Sequence, residues 1–212
     1  MPSDIKALVF DLDGTLYVSS SLGMEIARAA SRYITDLKGI EPDEAGRLIS
    51  ATRKRLAAKS GFEATLSMVC LELGGDLREL HHRFASEIRP EDYLVQDKRV
   101  VELMIMLGRR FSLFIYTNNN LTLSAAIILI LGLEGLFGQV FTIEESWRPK
   151  PDQEALLDIY RRIGRTPDEC LFVGDRYDVD LRLPAELGSA VCLVNSTGEL
   201  FHLCTLMNEE NV

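Results

Sequence analysis

The sequence predicts an α/β protein: a Rossmann-like, doubly wound parallel sheet with an α-helical domain inserted into it. Three observations carry that prediction. Five short runs rich in Val, Ile, Leu and Phe are apolar without polar alternation, as strands buried on both faces are. Helical patterns separate these runs one by one, the order expected of a parallel sheet covered by helices. The first connection is the exception: it is roughly a hundred residues long, where one crossover helix would suffice.

Taken in order, the first strand is expected over 6–10. Helices over 22–37, 42–58, 62–73 and 76–88 follow, punctuated by Gly39, Gly61 and the Gly74-Gly75 pair, which are helix-ending signals. A helix over 97–109 leads to a strand over 111–116, and a very apolar helix over 121–132 leads to a strand over 139–142. Helices over 152–163 and 179–187 then alternate with strands over 170–173 and 190–194. The expected core is 1–18 with 93–212, and the helical insertion is 19–92. The insertion leaves the core just after the first strand, where ligands bind in such sheets.

Composition fits that outline. Hydrophobic residues make up 47% and charged residues 26%, which excludes a disordered chain, a collagen-like repeat and a disulfide scaffold. The 23 Lys+Arg against 32 Asp+Glu give a net charge of −9, which argues against nucleic-acid polymers and anionic membranes as partners. Cys70, Cys170, Cys192 and Cys204 are widely spaced without a CxxC pair and read as free thiols in a reducing compartment. Asp4 and Asp11 interrupt the apolar stretch that a signal peptide needs, and no apolar run reaches the roughly 20 residues of a bilayer span. A cytoplasmic protein is expected.

Polar groups follow three of the strands: Asp11-Leu12-Asp13-Gly14-Thr15, Thr117-Asn118-Asn119, and Asp175 with Asp178 and Asp180. Parallel strands bring their carboxyl ends to one edge, so these groups should converge there. The loop Arg148-Pro149-Lys150-Pro151, after the third strand, can reach the same edge. Several carboxylates at one spot repel each other unless a cation joins them, and hard oxygen ligands suit Mg²⁺.

FDLDGTLY, the strand-ending TNN, the RPKP lysine and GDRYDVD resemble, in order, the four motifs of the haloacid dehalogenase-like hydrolases, over nearly the whole chain. The resemblance implies strand order 5-4-1-2-3 and a helical cap. It implies Asp11 as nucleophile, Asp13 as general acid and base, and Thr117 and Lys150 as phosphoryl-holding catalytic residues. Backbone N–H groups near Leu12 and Asn118 would complete the phosphate cradle. Mg²⁺ would be held by Asp11, Asp13, Asp175 and a further aspartate. The motif spacing favours Asp180 for that place, while Asp178 would cap the following helix. Leu183-Pro184 stands where the family commonly has a Gly-Ala pair.

Thr15 and Asp13 together favour hydrolysis of a phosphomonoester on a small metabolite over dehalogenation. A phosphomutase and a non-catalytic phosphate-binding or interaction protein on the same fold are the other readings. The segments around Ser60 to Thr65 and Ile88 to Leu94 are similar to the pyrimidine 5′-nucleotidase branch, which would imply a nucleoside 5′-monophosphate. Ser60 replaces that branch's Tyr, leaving Phe62 as the candidate platform. Phosphoglycolate phosphatase-like relatives imply sugar phosphates or phosphoglycolate instead. His81-His82 read as an exposed helix face and Trp147 as a packing residue. The helices near 100–107 and 121–132 are apolar almost all round. Ile105 and Leu129 should therefore form a joint patch, and a homodimer is expected there unless residues 198–207 fold over it.

Overall fold

A computed structural model describes residues 5–207; positions 1–4 and 208–212 of the expected core lie outside the described residues. Strand β1 (Ala7–Phe10) is buried at every position. It pairs in parallel with β2 (Ser112–Tyr116) on one side and β4 (Cys170–Gly174) on the other, Val9 lying opposite Phe114 and Phe172. With β3 (Gln139–Phe141) and β5 (Ala190–Leu193) the sheet has the order β3-β2-β1-β4-β5, the expected order read from the other edge.

Successive residues of a strand face opposite sides, and here both sides meet helices. Leu8 and Phe10 join the core beneath α5 (Lys98–Gly108) and α6 (Leu121–Ile130). Ala7 and Val9 join the other core, with Leu156 and Tyr160 of α7 (Gln153–Ile163). Doubly covered strands need apolar residues at consecutive positions, which is why they lack alternation.

Between β1 and α5 lie α1 (Ser20–Lys38), α2 (Pro42–Ser60), α3 (Leu66–Glu72) and α4 (Leu77–Glu87). Leu22, Tyr33 and Ile34 of α1 share a buried cluster with Val69, Leu80 and Phe84. The third helix begins at Leu66 rather than at 62. Thr65 is its N-cap, extended at φ −72° and ψ 161°, its side chain accepting from the Met68 N–H at 3.2 Å, so the helix starts after it.

The expected regular helix over 179–187 is instead a π-helical turn, Tyr177–Leu181, followed by the short α8 (Arg182–Glu186). Pro184 has no N–H for the carbonyl of Asp180. The Arg182 N–H reaches back to Tyr177, a five-residue return that makes a π turn.

The apolar α5–α6 face is partly covered. The 3₁₀ segment Glu199–Met207 packs on α5 and buries Leu200 and Leu203. Ile105 stays 42% and Leu129 57% exposed. Among the described residues no helix is long and apolar enough to cross a membrane, and all four cysteines are free.

Candidate active site

The carboxyl edge of the sheet gathers the polar groups that follow the strands. The Asp11 N–H donates to the Val173 carbonyl at 2.8 Å, so the ladder carries Asp11 one residue past β1. Thr117 is carried past β2 in the same way by its bond to the Phe141 carbonyl, at 2.9 Å. Gly14 has φ +85°, and a Cβ there would lie 2.3 Å from Asp175 Oδ2. Only glycine lets the two loops close on each other at this point. Gly174 plays the matching part for the π turn, since a Cβ there would lie 2.6 Å from the Asp180 Cβ.

Lys150 is buried at 2% exposure. Its Nζ donates to Asp11 Oδ1 and Asp180 Oδ1, each at 2.6 Å, and to the Tyr116 carbonyl at 2.9 Å. Its N–H donates to Asn118 Oδ1 at 2.8 Å, which fixes the lysine loop to the end of β2. A buried charge is tolerated when paired and fully hydrogen-bonded. Burial works against the Lys150 charge, but Asp11 and Asp180 outweigh it and hold the pKa above the usual lysine range. Burial pushes Asp11 up to about 7 against the pull of Lys150. Thr15 Oγ1 lies 3.5 Å from Asp11 Oδ2.

Asp13 is also raised, chiefly by burial, with the Tyr17 hydrogen bond acting in the other direction. The Tyr17 hydroxyl donates to Asp13 Oδ1, and Asn119 Nδ2 donates to Oδ2 at 2.7 Å. Thr117 Oγ1 stands 3.5 Å from the same Oδ2. Tyr17 and Asn119 were not singled out as site residues from the sequence. Leu12 is fully buried, and its carbonyl accepts the Leu16 N–H at 3.1 Å. Asn118 Nδ2 is buried without a partner, a donor facing no acceptor in the protein.

Asp11, Asp175 and Asp180 each place one carboxylate oxygen within 4.8 Å of the others. Asp175 Oδ1 is buried without a hydrogen bond, its nearest cationic atom being Arg176 Nε at 3.7 Å. Burial raises the Asp175 pKa. Three convergent hard oxygen donors, two of them with a raised proton affinity, fit a small divalent cation. Of the two aspartates left open by the sequence, Asp180 belongs to this cluster. Asp178 is turned away to Arg182, at 3.5 Å.

A cleft of about 450 Å³ opens above the aspartates, with Asp11, Asp13 and Asp175 on the sheet side and Arg53, Thr65 and His81 on the helical side. The two histidines do not form an exposed face as expected. His81 is 2% exposed, because α4 turns it toward α6 and the lysine loop, while His82 faces solvent. Asn120 Nδ2 donates to the His81 carbonyl at 3.0 Å, and the His81 ring stacks edge-on to Phe84 and Trp147. Trp147 is thus a packing residue, with the Arg78 guanidinium 4.7 Å above its ring. Phe62 lies beneath Arg182, at 5.4 Å, outside the residues that line the cleft.

Residues 5–188 match the haloacid dehalogenase-like hydrolase family. The chain is 30% identical to the glyceraldehyde 3-phosphate phosphatase of Methanocaldococcus jannaschii, covering 87% of this chain and 82% of that one. It is 25% identical to the phosphoglycolate phosphatase of Salmonella paratyphi A, over 81% of this chain and 74% of that one. A HAD phosphatase from Thermococcus onnurineus has a similar fold, with a TM-score of 0.63 at 21% identity, over 98% and 100% of the two chains.

Proposed function

The chain belongs to the haloacid dehalogenase-like hydrolases and is a phosphatase of small phosphorylated metabolites, and from that premise we propose how its residues work. It is a Mg²⁺-dependent phosphomonoesterase that acts through an aspartyl-phosphate on a small, non-nucleotide ester. The observation that carries this reading is the convergence of Asp11, Asp13, Lys150 and Asp175 from three separate loops at one sheet edge.

Asp11 attacks phosphorus, and the bond to the leaving oxygen breaks as Asp13 protonates that oxygen. Burial raises Asp13's affinity for a proton, which suits the group to that step. Asp13, now a carboxylate, takes a proton from the water that attacks the aspartyl-phosphate, which releases inorganic phosphate and restores Asp11. Lys150, Thr117 and the backbone N–H groups of Leu12 and Asn118 hold the phosphoryl oxygens. The unpartnered Asn118 Nδ2 supports an acceptor-rich occupant. Asp11, Asp175 and Asp180, with the Asp13 carbonyl, would hold Mg²⁺. When bound, the ion offsets the repulsion between the nucleophile and the phosphate dianion.

Residues 19–92 act as a cap over the core formed by 1–18 and 93–212, hinged near 16–20 and 89–95. The Ser19 hydroxyl donates to the Tyr93 carbonyl at 3.4 Å, tying the two crossings together. Phe62 is engaged by Arg182 away from the cleft, so a nucleobase lacks the platform once assigned to that ring, and this favours a small ester. Hydrolysis of p-nitrophenyl phosphate tests the reading. Activity should vanish with EDTA and return with Mg²⁺, and Asp11→Asn should lose at least about a thousandfold in kcat while still folding. Full activity in Asp11→Asn overturns the mechanism.

A further inference from the structure

We propose that the helical side of the cleft carries a carboxylate-binding subsite centred on Arg53, selecting short phosphomonoesters whose leaving group ends in a carboxylate. This rests on the phosphomonoesterase reading and names a substrate class for it.

The charges around the cleft single out Arg53. Asp11, Asp13, Asp175 and Glu63 line it on the acidic side, Arg53 and Arg176 on the basic side. Arg176 Nε is engaged with Asp175 and Asp180, at 3.7 and 3.9 Å. Lys150, beneath the cleft, is engaged with Asp11 and Asp180. Among the described residues Arg53 instead pairs only with Glu63, through Nη1 at 3.6 Å, and the Glu63 side chain is 74% exposed. An ion pair so exposed contributes little and exchanges readily.

The guanidinium also has an unused edge. Arg53 Nε is buried without a hydrogen-bond partner. Glu63 approaches Nη1, which leaves Nε and Nη2 on the edge that accepts a carboxylate through two parallel bonds. A buried charged donor left unsatisfied is costly, so an acceptor reaching this edge gains both the bond and relief of that cost.

His81 supplies the second observation. It is 2% exposed, lines the same cleft, and neither ring nitrogen has a partner. Burial pushes its pKa down to about 4, so near neutral pH the ring offers one N–H donor and one acceptor. Unused polar capacity at two places on one wall calls for an oxygen-bearing group there. A neutral alkyl end would leave it unmet. A carboxylate without Arg53 would face the repulsion of four acidic residues.

The experiment compares phosphoglycolate with ethyl phosphate, which has the same two-carbon ester without the carboxylate, using the full chain with Mg²⁺. The readout is the ratio of their kcat/KM values within one preparation, so partial misfolding of a variant cancels. In wild type the ratio should be about 10 to 100, the size expected for a charge-assisted bidentate contact. In Arg53→Met it should fall to one or below, mainly through KM for phosphoglycolate, and Arg53→Lys should restore it in part. A wild-type ratio near one overturns the subsite, and so does an Arg53→Met variant that keeps the wild-type ratio. If neither ester nor p-nitrophenyl phosphate is hydrolysed, the phosphomonoesterase reading falls and the subsite with it.

Discussion

Asp13 is held from both sides, by the Tyr17 hydroxyl on Oδ1 and by Asn119 on Oδ2. Those donors fix the plane of the carboxyl group that must meet the leaving oxygen, which makes Tyr17 a positioning residue. Its effect should depend on how much the leaving group needs a proton. Tyr17→Phe should lower kcat at least about tenfold for alkyl phosphates, within the range general acids contribute. For p-nitrophenyl phosphate, whose leaving group departs as a stable anion, the loss should stay under about twofold. Equal losses on both esters would remove the positioning role. His81 gives a stability prediction with a definite sign. Its folded pKa of about 4 lies below the ordinary 6.5 because burial disfavours the charged ring. The unfolded chain therefore binds the proton first: stability is full above pH 6.5 and is lost as pH falls toward 4. The loss approaches about 3 kcal/mol. The stability of wild type relative to His81→Phe, read from thermal melts, should fall as the pH drops through that window, and parallel curves would show that His81 titrates normally.

At the scale of elements, the turn after β4 decides which aspartate reaches the metal cluster. The Arg182 N–H bonds back to the Tyr177 carbonyl, a π return that leaves Asp180 facing Lys150 and Asp178 facing Arg182. The helical insertion touches the core through similarly small devices: Asn120 on the His81 carbonyl and Arg182 over the Phe62 ring. If the proposed hinges open to admit substrate, holding Phe62 and Arg182 together should block turnover. Cysteines introduced as Phe62→Cys and Arg182→Cys and bridged by a short bis-maleimide should lower kcat/KM at least about tenfold. Wild type treated with the same reagent controls for the four native thiols. An unchanged kcat/KM in the bridged variant would exclude gating by this cap.

At the scale of the whole molecule, the question is what meets the apolar helices α5 and α6. The C-terminal 3₁₀ segment takes part of that face, burying Leu200 and Leu203, while Ile105, Leu121 and Leu129 remain exposed. A two-fold contact through the remainder is the dimer proposed from the sequence. If it forms, wild type sediments as a dimer at micromolar concentration, and the double variant Ile105→Lys, Leu129→Glu sediments as a monomer. A wild-type monomer under those conditions disposes of it.

The sequence by itself determined the sheet and the contents of its edge. Strands covered on both faces must be apolar at consecutive positions, so Ala7 to Phe10 and Cys170 to Gly174 announce themselves locally. A residue next in chain to such a strand cannot leave the edge, which is why Asp11, Thr117 and Asp175 were legible before any contact was known. Tertiary structure alone decided the rest. Whether His81 or His82 is buried depends on the approach of α6 and Trp147, which lie far from them in sequence. Nothing in the spacing of Tyr17 tells that its hydroxyl reaches back to Asp13 rather than packing in a core. The place of Arg53 in the cleft likewise depends on how α2 is set against the sheet. Periodicity reports which faces are buried, but which polar atom meets which is set by the relative placement of elements, and no local pattern encodes that distance.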